Sequence, residues 1–167
     1  MQTKTQITAI FDTTLERAFK SPMLCDITKV HTGYGLTPKV THCTEDESWG
    51  KIGGSRKVFM AKSLLFKAGG CTLDKVLERK ENTYWKIEIC DFTFWMYGFE
   101  KFQGEWLTTE QPDGKIKVQY IYTLFSKSKL VYPFHWLFTK LVWRNYMKHT
   151  LENVRQLALT NSPYLQE

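Results

Sequence analysis

The four cysteines, Cys25, Cys43, Cys71 and Cys90, include no pair at CxxC spacing, which removes the zinc-knuckle and dithiol-redox readings. His31, His42, His135 and His149 show no HxH or HExxH spacing, so no metal site is expected from them. The glycines at Gly33 and Gly35, Gly53-Gly54 and Gly69-Gly70 lack a phosphate-loop pattern and read as turns. No apolar run reaches the roughly 18 residues that a membrane span needs. The opening MQTKTQITAI has neither the apolar core nor the cleavage site of a secretory signal. These absences predict a cytoplasmic protein with reduced thiols, no metal and no obligatory cofactor. The chain also lacks internal repeats, low-complexity tracts and a linker, so residues 1–167 are expected to form a single domain. The net charge of +6 would suit an anionic partner. Yet there is no dense basic stretch and no RRM-type aromatic signature, so nucleic acid is not expected as a partner.

What the chain does have is aromatic residues, 15% of the total, more than simple core packing requires. It also has one long helix-forming stretch, Tyr132 to Ala158, free of glycine and with Pro133 suited to its first turn. At 1.5 Å per residue it would make a rod of roughly 39 Å, long enough to cross a small domain. Its second half has one apolar face, carrying Trp143, Met147, Leu151, Val154 and Ala158, with Tyr146 and Leu157 at the edge. Its first half adds a second face from Phe134, Leu137, Phe138, Leu141 and Val142, flanked by Lys140, Arg144 and Lys148. That face needs a cover. The covers consistent with the sequence are a homodimer contact through Phe134, Leu137, Phe138 and Leu141, transient contact with an anionic membrane, or a flap. The flap would be the loop around Leu64-Leu65-Phe66, hinged on Gly69-Gly70 and opening for ligand entry.

Before that helix the period changes to two. Lys4 to Phe11 reads as a first strand, and Thr13 with Glu16 has capping-box spacing for a short helix over Thr14 to Lys20. Ser21-Pro22 is expected to break it, with one more short turn to Asp26 and then a loop to Leu36. Strands follow over Pro38 to Glu45, Ser55 to Ala61, Thr72 to Lys80, Tyr84 to Asp91, Phe92 to Thr108 and Lys115 to Ser126. Trp85, Ile87 and Ile89 share one face, as do Val118, Tyr120, Tyr122 and Leu124. Gln111-Pro112-Asp113-Gly114 is a turn, because proline presets φ and glycine accepts a positive φ. Successive hairpins imply an antiparallel sheet, and strands followed by a helix imply an α+β fold.

The order resembles the START-like, or Bet-v-like, superfamily (SRPBCC), which includes polyketide cyclases and lipid-transfer proteins. The stretches that carry it are TAIFDTTLERAFK, GGSRKVFMA, TLDKVLERKENTYWKIEI, FQGEWLTTEQPDGKIKVQYIYTL and YMKHTLENVRQLA. The resemblance implies a helix-grip fold: a curved seven-stranded antiparallel sheet around a long C-terminal helix, with one or two short helices after the first strand. It also implies an apolar cavity between sheet and helix that holds a hydrophobic or amphipathic small molecule, lipid-like or polyketide-like.

The residues expected to line such a cavity are Trp85, Ile87, Ile89, Phe94, Phe102, Trp106, Tyr120, Tyr122, Trp136, Trp143 and Met147. These side chains either line a pocket or fill a core. Buried tyrosine hydroxyls need partners or water, which favours the pocket. Asp91 and Glu100 are the candidate catalytic carboxyls, as general acid or base, with rim or paired carboxylates as the alternative. A ligand-binding protein is the first expectation. A polyketide cyclase or aromatase-type enzyme is the second, and a protein-interaction module the third.

Overall fold

The computed structural model describes residues 1–44, 46–62, 69–93 and 98–165. The expected flap around Leu64-Leu65-Phe66 and the expected lining residue Phe94 lie outside the described residues. The elements in order are β1 (Gln2–Phe11), α1 (Leu15–Leu24), α2 (Ile27–Val30), β2 (Val40–Cys43), β3 (Ser55–Met60), β4 (Gly70–Lys80) and β5 (Tyr84–Cys90). Then come β6 (Phe99–Glu110), β7 (Ile116–Ser126), α3 (Tyr132–Phe138), a π-type turn over Thr139–Trp143 and α4 (Arg144–Leu159). The strands form a seven-stranded antiparallel sheet in the order β1-β7-β6-β5-β4-β3-β2. The last helix packs against its inner side. This is the α+β helix-grip arrangement.

Hairpin chemistry fixes the register. Gly114 takes φ +79, and its N–H donates to Gln111 O at 2.9 Å, closing the β6–β7 turn where the sequence places it. From there β1 and β7 pair without interruption, from Phe11 opposite Ile116 to Gln2 opposite Phe125.

Helix α1 departs from expectation at both ends. Its N-cap is Thr14, which accepts from Arg17 N at 3.2 Å, while the Thr13 hydroxyl donates to Ala158 O. At the other end the helix runs through Pro22 to Leu24 instead of breaking. A proline removes the N–H that would bond the carbonyl four residues back, here Ala18. The indole of Trp106 donates to that carbonyl at 3.1 Å. Trp85 donates to Phe19 O and Trp49 to Met23 O, both at 2.9 Å. Two tryptophans on strands, Trp85 and Trp106, and one in the turn before β3, Trp49, thus hold α1 by its own carbonyls. The loop expected after Asp26 contains the short α2, capped by the Asp26 carboxylate accepting from Thr28 N.

The long C-terminal helix is present, but its phase changes midway. In the π-type turn Arg144 N bonds to Thr139 O, five residues back. The extra residue rotates the first half relative to the second. His135, Phe138 and Thr139 therefore turn inward, in line with Trp143, Tyr146 and Met147. Phe138, expected on the outer stripe, is buried against Phe99 and Trp143. Phe134, Leu137 and Leu141 stay outside at 52%, 48% and 58% exposed.

Candidate functional site

Helices α2 and α4, the π-type turn and the inner face of the sheet border two adjoining, partly open lobes of a pocket. The main lobe, about 80 Å³, lies between Val40, Val58 and Met60 on one side and Phe92, Phe102, Phe138 and Trp143 on the other. The inner lobe, about 50 Å³, reaches between Trp49, Arg56, Trp85, Trp106, Tyr120 and Thr150. His31, Asp74, Ile89 and Tyr122 belong to both walls. Gly104 keeps the inner lobe open beside Tyr122: a Cβ there would lie 3.0 Å from the tyrosine ring.

The lining is largely apolar, which makes its few polar groups distinctive. Along β4, Thr72, Asp74 and Val76 alternate inward, so a carboxyl is carried into the cavity on a strand. Asp74 is buried and accepts from the Thr72 hydroxyl at 3.1 Å. Burial pushes its pKa up to about 6, against the pull of Arg56 and Thr72. Arg56, on β3 directly opposite Asp74, is also buried, and its guanidinium lies over the Trp49 ring at 3.7 Å. Burial lowers its pKa, opposed by Asp74 and the Cys43 thiol.

His31 bonds the Tyr146 hydroxyl through Nδ1 at 2.6 Å. His31 is half-buried and lines both lobes. Burial and the Arg56 charge push its pKa down to about 4, so it is neutral near pH 7. Burial also raises the pKa of Tyr120, Tyr122 and Tyr146, which remain neutral phenols. The cavity therefore offers one carboxyl that exchanges a proton near pH 6, one fixed cation and several neutral hydrogen-bonding groups. Such a carboxyl can act as a general acid or base. Among the described residues no three His, Cys, Asp or Glu side chains gather as a metal site.

Of the sequence-predicted lining residues, Ile89, Phe102, Tyr122 and Trp143 face the main lobe. Trp85, Ile87, Ile89, Trp106, Tyr120 and Tyr122 face the inner one. Met147 is fully buried in the core beside the cavity. Trp136 is 49% exposed on the outer side of α3 and away from the lining.

Neither carboxyl predicted for catalysis points inward. β5 ends at Cys90, and Asp91 turns outward with φ +51. Glu100 shares parity with Phe102, but a bulge between Phe99 and Lys101 reverses that parity. Phe99 then faces in and Glu100 faces solvent. Asp74, Arg56, His31 and Tyr146 were missed, although Asp74 shares parity with Val76 and Arg56 with Val58.

No family model matches the chain, and no curated protein matches it. Solved structures do match. The crystal structure of Ara h 8.0201 aligns with TM-score 0.70 at 17% identity, covering 96% of this chain and 100% of that one. The structure of a Staphylococcus aureus protein of unknown function, SA2116, aligns with TM-score 0.72 at 13% identity, covering 96% of each chain. What is shared at such identities is the fold, which is Bet v 1-like. No helix among the described residues is long and apolar enough to cross a membrane.

Proposed function

We propose that the protein binds a hydrophobic or amphipathic small molecule in the two-lobed cavity. The observation that carries this reading is the partly open, aromatic-lined space with a few placed polar groups, the usual composition of a ligand site. The fold supports it, since Bet v 1-like folds commonly bind hydrophobic ligands. Size limits the ligand. An engineered apolar cavity of roughly 150 Å³ takes up benzene. Lobes of about 80 and 50 Å³ together fall short of that, so even a single ring with a small substituent presses the walls outward. A lipid-like or polyketide-like body requires the walls to part. Leu36, Thr37 and Pro38, in the exposed segment between α2 and β2, are the lining residues best placed to move.

Native mass spectrometry of protein purified from its own host tests this reading, with extraction of whatever co-purifies. We expect a bound organic molecule, or a thermal shift with members of a lipid, polyketide and small-aromatic panel. A ligand-free protein that no member of the panel stabilises would contradict it.

A second reading, a polyketide cyclase or aromatase-type enzyme, is favoured by one observation. A carboxyl with a pKa pushed up to about 6 lies in the same cavity as the Tyr120 and Tyr122 hydroxyls. Under that reading Asp74→Asn abolishes turnover while ligand binding persists.

A further inference from the structure

The inner lobe contains a buried cation, Arg56, that Asp74 and the Cys43 thiol balance only in part. Arg56 is 5% exposed. Burying a guanidinium is costly unless it is paired and hydrogen-bonded. Yet its Nε is buried without a hydrogen-bond partner. Among the described residues, Arg56 forms no ion pair. Asp74 sits opposite on β4, but it accepts its hydrogen bond from the Thr72 hydroxyl.

Trp49 covers one face of the guanidinium and the Cys43 thiol approaches it, while the Nε–H is left for another partner. Thr150 Oγ1, in the wall of the same lobe, is likewise buried without a partner. So is Trp143 Nε1 in the main lobe. Arginine and indole N–H groups are donors only. Unused donors, one of them cationic, at the end of an apolar cavity call for an acceptor that carries negative charge.

We propose that the inner lobe receives the anionic head, of the carboxylate class, of an amphipathic ligand whose apolar body lies in the main lobe. This rests on the ligand-binding reading above and specifies the ligand's polar end. A planar carboxylate matches the guanidinium edge. The Thr150 hydroxyl offers it a further hydrogen bond. Asp74 opposes it, because a like charge faces the same space. Neutralising Asp74 therefore strengthens anion binding, whereas it has little effect on an uncharged ligand.

The test is a pair of fluorine NMR titrations of the full chain near pH 7, with para-fluorobenzoate and para-fluorobenzyl alcohol. The two probes share a ring and differ in charge. We expect the benzoate to bind about tenfold tighter, the order of one charge-assisted hydrogen bond. Arg56→Met retains an apolar stem to lie on Trp49, and it should abolish the preference while leaving alcohol binding in place. Asp74→Asn should enlarge the preference. Equal affinities, or a tighter alcohol, would overturn the anion assignment and leave the ligand reading standing. Binding of neither probe would overturn both. If Arg56→Met does not fold, the Asp74→Asn arm decides, and a preference that fails to grow counts against the proposal.

Discussion

Val118 on β7 and Val58 on β3 are the same residue, both turned inward and both almost fully buried, at 0% and 4% exposed. Their surroundings differ. Val118 belongs to the main core, where Phe11, Ile116, Leu124 and Met147 fill the space between the sheet and the last helix. Val58 belongs to a separate small cluster with Ile27 and Val40, and it faces the main lobe of the cavity. One flank of the inner face is therefore packed and apolar. The other is hollow and carries Arg56, Thr72 and Asp74. Packing on the first flank stabilises the fold. The second gives up packing and buries charge, which proteins do at sites of function.

The largest expected effect is on the packed flank. Leu124→Ala removes a fully buried side chain with no void beside it and should cost about 3–4 kcal/mol. Val58→Ala removes atoms that already border empty space and should cost about 1 kcal/mol. Urea denaturation with matched slopes measures both. Equal losses, scaled for the atoms removed, would erase the distinction between the flanks.

A smaller effect of opposite sign is expected at Asp74. Its pKa is about 6 in the fold against an ordinary 3.8, so keeping it ionised costs stability, on the order of 3 kcal/mol. That cost is fully present above pH 6 and disappears as pH falls below 4. His31 works the other way. Its pKa of about 4, against 6.5, contributes stability above pH 6.5 that is lost as pH falls toward 4. The two oppose each other in the parent protein and flatten its profile over that range. Asp74→Asn should therefore raise stability at pH 8 by up to about 3 kcal/mol. The gain should shrink to nothing by pH 4, leaving the acid-side loss due to His31. Destabilisation at pH 8 would mean instead that Asp74 and Arg56 act as a working ion pair.

The packed flank was also the legible one. Period-two alternation located Val118 and Leu124 on one face, with the cavity-lining Tyr120 and Tyr122 between them, and the Gln111–Gly114 turn fixed their register with β6. The same parity argument extends to Asp74 through Val76 and to Arg56 through Val58. A charged residue between apolar ones reads as facing solvent, so the signal was present but ran against composition. Glu100 shows the reverse. Its parity pointed inward, and the bulge that turns it out has no clear mark in the sequence beyond the nearby Gly98. The π-type turn is equally silent, since Thr139 to Trp143 holds neither proline nor glycine. That is why Phe138 was placed on the wrong side of the helix. Asp91 was read as a continuation of β5, whereas the strand stops one residue earlier.

The central claim is that the hollow flank is a ligand site and the packed flank is not. Methyl NMR of the full chain during titration with the fluorinated benzoate and its alcohol tests this most directly. The account predicts that signals of Val40, Val58 and Ile89, which line the main lobe, shift together and saturate, while those of Ile116, Val118 and Leu124 stay in place. Shifts confined to the exposed Leu137 and Leu141, or no saturable shift at all, would contradict it.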